Sequence, residues 1–214
     1  VRVTPREHVP ATGPLTLRGH IAGVGTAEGT RLVVGRWLRS PLGAFADVMV
    51  ERPDGTRVLL APRPDVAALV ERLYTFDAVH LVDVRVVPDA DARTWTVVAG
   101  PLDARLTVGA RTAVGVALRA LPPRLVDLPL TAPVVDAVAG LVVPGVRTRG
   151  TGRDGSPETY AARDQHAVVA LEATWGGRAL GPLRRVEPAV RFGFSSAPAA
   201  PTVTAVAVRI GTPR

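Results

Sequence analysis

Residues 40–62, SPLGAFADVMVERPDGTRVLLAP, carry the pattern that most restricts this chain. Ala46, Val48 and Val50 alternate with Asp47, Met49 and Glu51, the period-two signature of a strand with two distinct faces. Pro53-Asp54-Gly55 then supplies turn chemistry before a second apolar run, Arg57 to Ala61, so the segment reads as a β-hairpin. The same grammar of short Val-rich runs separated by Gly, Pro and Asp recurs along the chain. Strands are expected over 15–25, 31–38, 78–87, 95–100, 102–108, 157–175 and 202–210. The Gly-rich GVGTAEGT (23–30) is not a GxGxxG fingerprint and reads as a hairpin turn. Gly35 marks a bulge or a close approach within its strand.

Helical signals are few. RPDVAALVERLY (63–74) places Val66, Leu69, Val70 and Leu73 on one helical stripe behind a Pro-Asp start. ARTAVGVALRALPP (110–123) and VVDAVAGLVV (134–143) are the other helix candidates. About ten to twelve strands with two or three short helices, and no regular strand–helix alternation, argue against a doubly wound parallel sheet. The expected fold is mainly β, an antiparallel β-barrel or strongly curved sheet enclosing a cavity, with a few short helices packed on it. It forms one domain over 1–214, with 1–14 as an irregular arm; a chain of this length buries roughly 70% of its unfolded surface.

Composition removes several chemistries. The 26 basic side chains are all Arg, and no Lys occurs, which excludes Schiff-base catalysis, covalently held pyridoxal phosphate and a P-loop lysine. No Cys occurs either, so thiolate catalysis, disulfides and Cys-based zinc sites are absent. Arg without Lys, alongside heavy Ala, Val, Pro and Gly usage, is the mark of a high-GC coding sequence. The formal charge of +7 comes from Arg spread along the chain, and aromatics are only 4% of residues. That favours a solvated surface over a nucleic-acid site. No run of 18 or more apolar residues occurs, the length a helix needs to span a bilayer, and VRVTPREHVP lacks a leader pattern, so a cytoplasmic protein without membrane contact is expected. Self-association into a homo-oligomer is left open.

The densest set of reactive side chains lies in residues 146–175. In one uninterrupted strand over 157–175, Glu158, Tyr160, Asp164 and His166 share a face. His166 could move a proton near neutral pH with Asp164 orienting it, the two Cα atoms being roughly 7 Å apart. Tyr160 could donate to a developing oxyanion, while Arg147 and Arg149 could clamp a carboxylate. The same face could instead be an ordinary polar surface. His20, across the sheet, could join His166 with Glu158 or Asp164 on a metal, but no HxH or HExxH spacing supports one. His80, among Val82, Val84 and Val86, reads as a core histidine. Ser195-Ser196 lacks a nucleophile elbow. Trp37, Trp95 and Trp175 read as core or cavity lining, Trp175 being assigned to substrate binding.

Ser40, Pro41, Gly43, Phe45 and Asp47 form a Ser-Pro-x-Gly-x-aromatic-x-acid segment that resembles the acetoacetate decarboxylase-like superfamily. The resemblance implies a barrel around a polar cavity and, by residue match, makes Asp47 a candidate cavity acid; with Glu158, Tyr160, Asp164 and His166 from the strand reading, it completes the candidate catalytic set. The decarboxylases of that family use a Schiff-base Lys that this chain lacks. The function expected is therefore binding of a small carboxylate-bearing metabolite without a cofactor. The alternative is a lyase, hydratase or isomerase acting on a small oxo or hydroxy acid through Asp, Glu and His; whether the chain is an enzyme stays open.

Overall fold

The computed structural model describes residues 13–120, 149–194 and 197–213. β1 (Leu15–Thr26) and β2 (Arg31–Arg39) form a hairpin around the Gly-rich turn, closed by Thr26 N donating to Thr30 O. β3 (Phe45–Glu51) and β4 (Arg57–Ala61) make the hairpin expected from the alternating segment. α1 (Pro64–Leu73) then crosses over to β5 (Ala78–Leu81), which pairs parallel to β4. A parallel neighbour needs such a crossover, so the sheet is mixed rather than purely antiparallel. β6 (Val84–Pro88), β7 (Thr94–Ala99) and β8 (Leu102–Arg111) follow as an antiparallel meander, and α2 (Ala113–Ala120) lies against β8 and the longest strand.

β9 (Arg149–Thr151) turns into that long strand, β10 (Pro157–Trp175), succeeded by the short β11 (Arg178–Ala179) and β12 (Leu183–Arg184). β13 (Thr202–Ile210), read from the sequence as a closing strand, lies between β1 and β10. The strand order is β5-β4-β3-β2-β1-β13-β10-β8-β7-β6. β3 and β6 are far apart in that order yet lie against each other, because the sheet curls into a half-barrel.

The concave face carries the main core. Val24, Leu32, Val34, Val48, Val50, Leu60, Val97, Leu102 and Leu106 meet there and are all fully buried. Each such side chain contributes on the order of 1.5–3 kcal/mol of burial free energy. The convex face carries a second layer. The apolar stripe of α1 (Val66, Leu69, Val70, Leu73) packs on Leu59, Trp37, Phe45 and Val208. Val186, Val190 and Phe192 cover Val33 and Met49. That last segment is pinned by Glu51, which is fully buried: Arg31 lies 3.1 Å from its Oε1, and Arg191 donates to it from Nε and from its backbone N–H, both at 2.7 Å.

Two expectations are corrected. Residues 78–87 are two strands broken at Val82-Asp83, not one, and His80 is exposed because β5 is an edge strand. The segment 110–123 begins as the end of β8 and turns helical only at Ala113. There Thr112 Oγ1 accepts from Gly115 N (3.0 Å), the bond of an N-cap. The helix proposed over 134–143, most of the 1–14 arm, Arg147 and Ser195-Ser196 lie outside the described residues.

Candidate functional site

The reactive residues of β10 do not share one face. In an antiparallel pair, residues opposite each other point the same way. Glu158, Tyr160 and Ala162 pair with Ile210, Val208 and Val206, whose side chains belong to the convex layer. After Ala162 the register slips by one, so Asp164 pairs with Ala205 and His166 with Val203, a concave-core residue. Arg163 is the extra residue of this bulge, and it turns the even-numbered positions from one face to the other. Further slips against β8, between His166 and Ala170, bring Leu171 and Ala173 inward. The expected single reactive face is thus divided between two layers.

On the convex side, Glu158 and Tyr160 meet Tyr74 from the end of α1. Glu158 Oε2 lies 2.9 Å from the Tyr160 hydroxyl and 3.3 Å from that of Tyr74, and the two hydroxyls hydrogen-bond each other, so three short O–O contacts close a ring that two phenolic protons alone cannot fill. Glu158 Oε1 is buried without a hydrogen-bond partner. Burial pushes the Glu158 carboxyl up to about 7 despite the two phenols, and burial likewise drives both phenols up. Asp47 belongs to this layer. Trp37 Nε1 donates to its Oδ1 at 2.9 Å, and its charge adds to the upward push on Tyr74. Burial raises Asp47 to about 6. Gly35 faces Asp47 across β2 and β3, and a Cβ there would lie 2.4 Å from Oδ1, so the expected close approach is real. Asp47 is therefore buried beneath the convex layer rather than facing the concave interior. Phe194 packs on Tyr160 with ring centroids 5.4 Å apart, closing the cluster from outside.

On the concave side, the Asp164 carboxylate takes two bonds from Arg111, Nε to Oδ1 at 2.7 Å and Nη2 to Oδ2 at 3.0 Å, and these hold it below the usual carboxylate range. His166 Nδ1 lies 3.2 Å from Gly109 O, and Nε2 lies 3.8 Å from Asp164 Oδ2. Since a carbonyl only accepts, Nδ1 donates to it, which makes Nε2 the lone-pair nitrogen of the neutral tautomer. Arg149 pairs with Thr159 and so is directed to the face opposite Glu158, not onto the acid–phenol cluster.

Trp175 stands at the hairpin end of the half-barrel, on the rim of a cleft of about 390 Å³. Glu28, Val50, Arg52, Arg178 and Leu180 also line it. The Arg52 guanidinium carbon lies 5.8 Å from the centre of the Trp175 ring system. Arg178 lies 3.7 Å from Glu28, while Arg52 has no carboxylate partner among the described residues.

Sequence reasoning did not single out Tyr74, Arg52, Arg36 or Arg111. Tyr74 follows an amphipathic stripe and reads as the helix end, and the three Arg residues read as a solvated surface. No cluster of three or more His, Asp or Glu able to hold a metal ion occurs among the described residues. No helix among them is long and apolar enough to cross a membrane.

No protein-family model matches the chain, and no curated protein matches it. Among solved structures, it is similar to a crystal structure from Nitrosomonas europaea described as a "putative ATTH (NE1406)", at 12% identity and a TM-score of 0.32. The match covers 100% of this chain and 58% of that one, so the chain spans little more than half of that protein's length.

Proposed function

We propose that the protein binds a small carboxylate-bearing molecule in the rim cleft at Trp175. The observation that carries this reading is the cleft itself: about 390 Å³, with an aromatic wall and an Arg that has no carboxylate partner among the described residues. That volume lies in the range of small-molecule sites, which combine apolar walls with a few placed polar groups. Val50 and Leu180 supply apolar wall, Trp175 a flat surface, and the Arg52 fork a bidentate partner for a carboxylate. The net charge of +7 draws small anions toward the surface. The kinship with acetoacetate decarboxylase-like barrels implied by Ser40 to Asp47 belongs to the same proposal, restricted to binding because no Lys is available for a Schiff base.

An acid–base enzyme acting on a small oxo or hydroxy acid is the second reading. It draws on Glu158 and Asp47, whose carboxyls titrate close to neutrality, where a proton is most readily held and released. The burial of both carboxyls within the convex layer places it second.

The test is a calorimetric screen of small carboxylates against the protein and its Arg52→Gln and Trp175→Phe variants. Binding tighter than about 1 mM that weakens roughly tenfold in Arg52→Gln supports the cleft. Binding indifferent to both substitutions, or no binding across the panel, removes it.

A further inference from the structure

The other end of the concave face carries a row of side chains to which the proposed function gives no role. His20 on β1 pairs with Arg36 on β2 and with Ala205 on β13, and Ala205 pairs with Asp164 on β10. Cross-strand partners share a face, so Arg36, His20, Ala205 and Asp164 form one line across four neighbouring strands. Trp95 of β7 reaches across the half-barrel from below. Its ring meets His20 edge-on at 5.7 Å, and the Arg36 guanidinium carbon lies 6.0 Å from its centre. His166 stands one position further along the same face of β10, beside the Arg111–Asp164 pair.

Three features of this line are unspent. Arg36 is half-buried on Trp95 and has no carboxylate partner among the described residues. His20 Nδ1 is buried without a hydrogen-bond partner. His166 Nε2 presents a lone pair while its Nδ1 is held by the Gly109 carbonyl. Ala205 alone separates His20 from Asp164 in this row, so the gap between their strands, two spacings or about 10 Å, carries only a methyl from β13. A half-buried cation without a counter-ion is costly unless a ligand supplies one. An imidazole lone pair at the far side of the gap calls for a hydrogen-bond donor.

We infer that this end of the concave face is a second ligand site, for a small hydroxycarboxylate lying over Ala205. Its carboxylate pairs with the Arg36 fork, and its hydroxyl donates to His166 Nε2. Trp95 forms the floor, and Asp164 keeps Arg111 from competing with Arg36 for the anion. Burial, followed by the charge of Arg36, lowers the His20 pKa against the opposing charge of Asp164, which suits His20 to a hydrogen-bonding role rather than that of a second cation. The site is separate from the Trp175 cleft: the Val and Leu core of Ala22, Val24, Leu32 and Val34 fills the interior between them.

Imidazole resonances of the folded protein, followed by NMR during addition of 3-hydroxybutyrate and, separately, butyrate, test the proposal. The expected result is a saturable shift at His20 and His166 with His80 unmoved. Affinity should fall about tenfold or more in Arg36→Gln, the size of a lost charge-assisted bond. Ala205→Leu fills the gap without removing a charge, and should abolish the shifts even if Arg36→Gln perturbs folding. Butyrate should bind more weakly than the hydroxy acid, and His166→Gln should narrow that difference. Silent His20 and His166 resonances overturn the assignment, as do shifts that survive both Arg36→Gln and Ala205→Leu. Shifts that disappear in Arg52→Gln instead would assign the binding to the cleft and overturn it equally.

Discussion

Replacing Glu158 with Gln should remove a large part of the protein's pH-dependent stability between pH 5 and pH 8. In the unfolded chain this carboxyl titrates near its ordinary 4.5; in the folded protein burial raises it to about 7. The folded state therefore holds a proton through a pH range in which the unfolded state has released it. The stabilising contribution is fully present below about pH 4.5 and is lost as pH rises through about 7. With about 1.4 kcal/mol for each pH unit of that gap, the loss comes to about 3 kcal/mol. For a chain of this length that corresponds to about 10 °C in Tm. Gln has nearly the same shape and can accept from Tyr74 and Tyr160, but it cannot ionise. Urea unfolding of the two proteins at pH 5 and pH 8 isolates the effect, because every other titrating group cancels in the difference. The variant should gain about 2.5 kcal/mol on the wild type between the two pH values, part of the loss having occurred already by pH 5. A wild-type-minus-variant difference that is equal at pH 5 and pH 8 would refute the placement of Glu158 as a buried, proton-holding acid.

Three further outcomes are expected. Gly35→Ala should destabilise by about 2 kcal/mol, since its Cβ would fall 2.4 Å from Asp47 Oδ1 and 2.7 Å from Trp37 Nε1; near-UV circular dichroism of Trp37 should change with it, and a neutral substitution contradicts the packing. Glu51→Ala leaves Arg31, itself buried, without its carboxylate, so denaturant unfolding should show a loss of about 3–5 kcal/mol. His20 should titrate below 6.5 by NMR, and Arg36→Gln should raise it; the contribution of His20 to stability is present above pH 6.5 and lost as pH falls, because the unfolded ring then takes up a proton the folded one refuses. A His20 titrating at 6.5 in both proteins contradicts its burial.

Local pattern carried much of the fold. Alternation in 45–51, the Pro-Asp-Gly turn and the stripe of α1 all correspond to observed elements, because each is decided within a few residues. β10 was legible in its bounds, Pro157 to Trp175, but not in its faces. A bulge inserts one residue against a partner strand, and the sequence around Arg163 carries no Gly or Pro to mark it. The apparent even face of Glu158 through His166 is a property of an ideal strand, and this strand is not ideal. Tyr74 and Arg36 were illegible for a different reason. Each gains its role from a strand or helix far away in the chain, Tyr74 from Glu158 and Arg36 from Trp95, and nothing adjacent in sequence announces such a meeting. His80 shows the converse error: flanking Val residues suggested a core, but an edge position decided its exposure.

The central position of β13 sets an order on synthesis. Strands β1 to β5 form one side of the sheet and β6 to β11 most of the other, and β13 is the strand that hydrogen-bonds both β1 and β10. A ribosome therefore completes both sides before it releases residues 202–210, the segment that joins them. Until then β1 and β10 each present an open edge, with the Val-rich faces beside it uncovered. A chain stalled before Thr202 would hold two unfinished half-sheets, and in the cell it would be a client for chaperones rather than a shorter version of this protein.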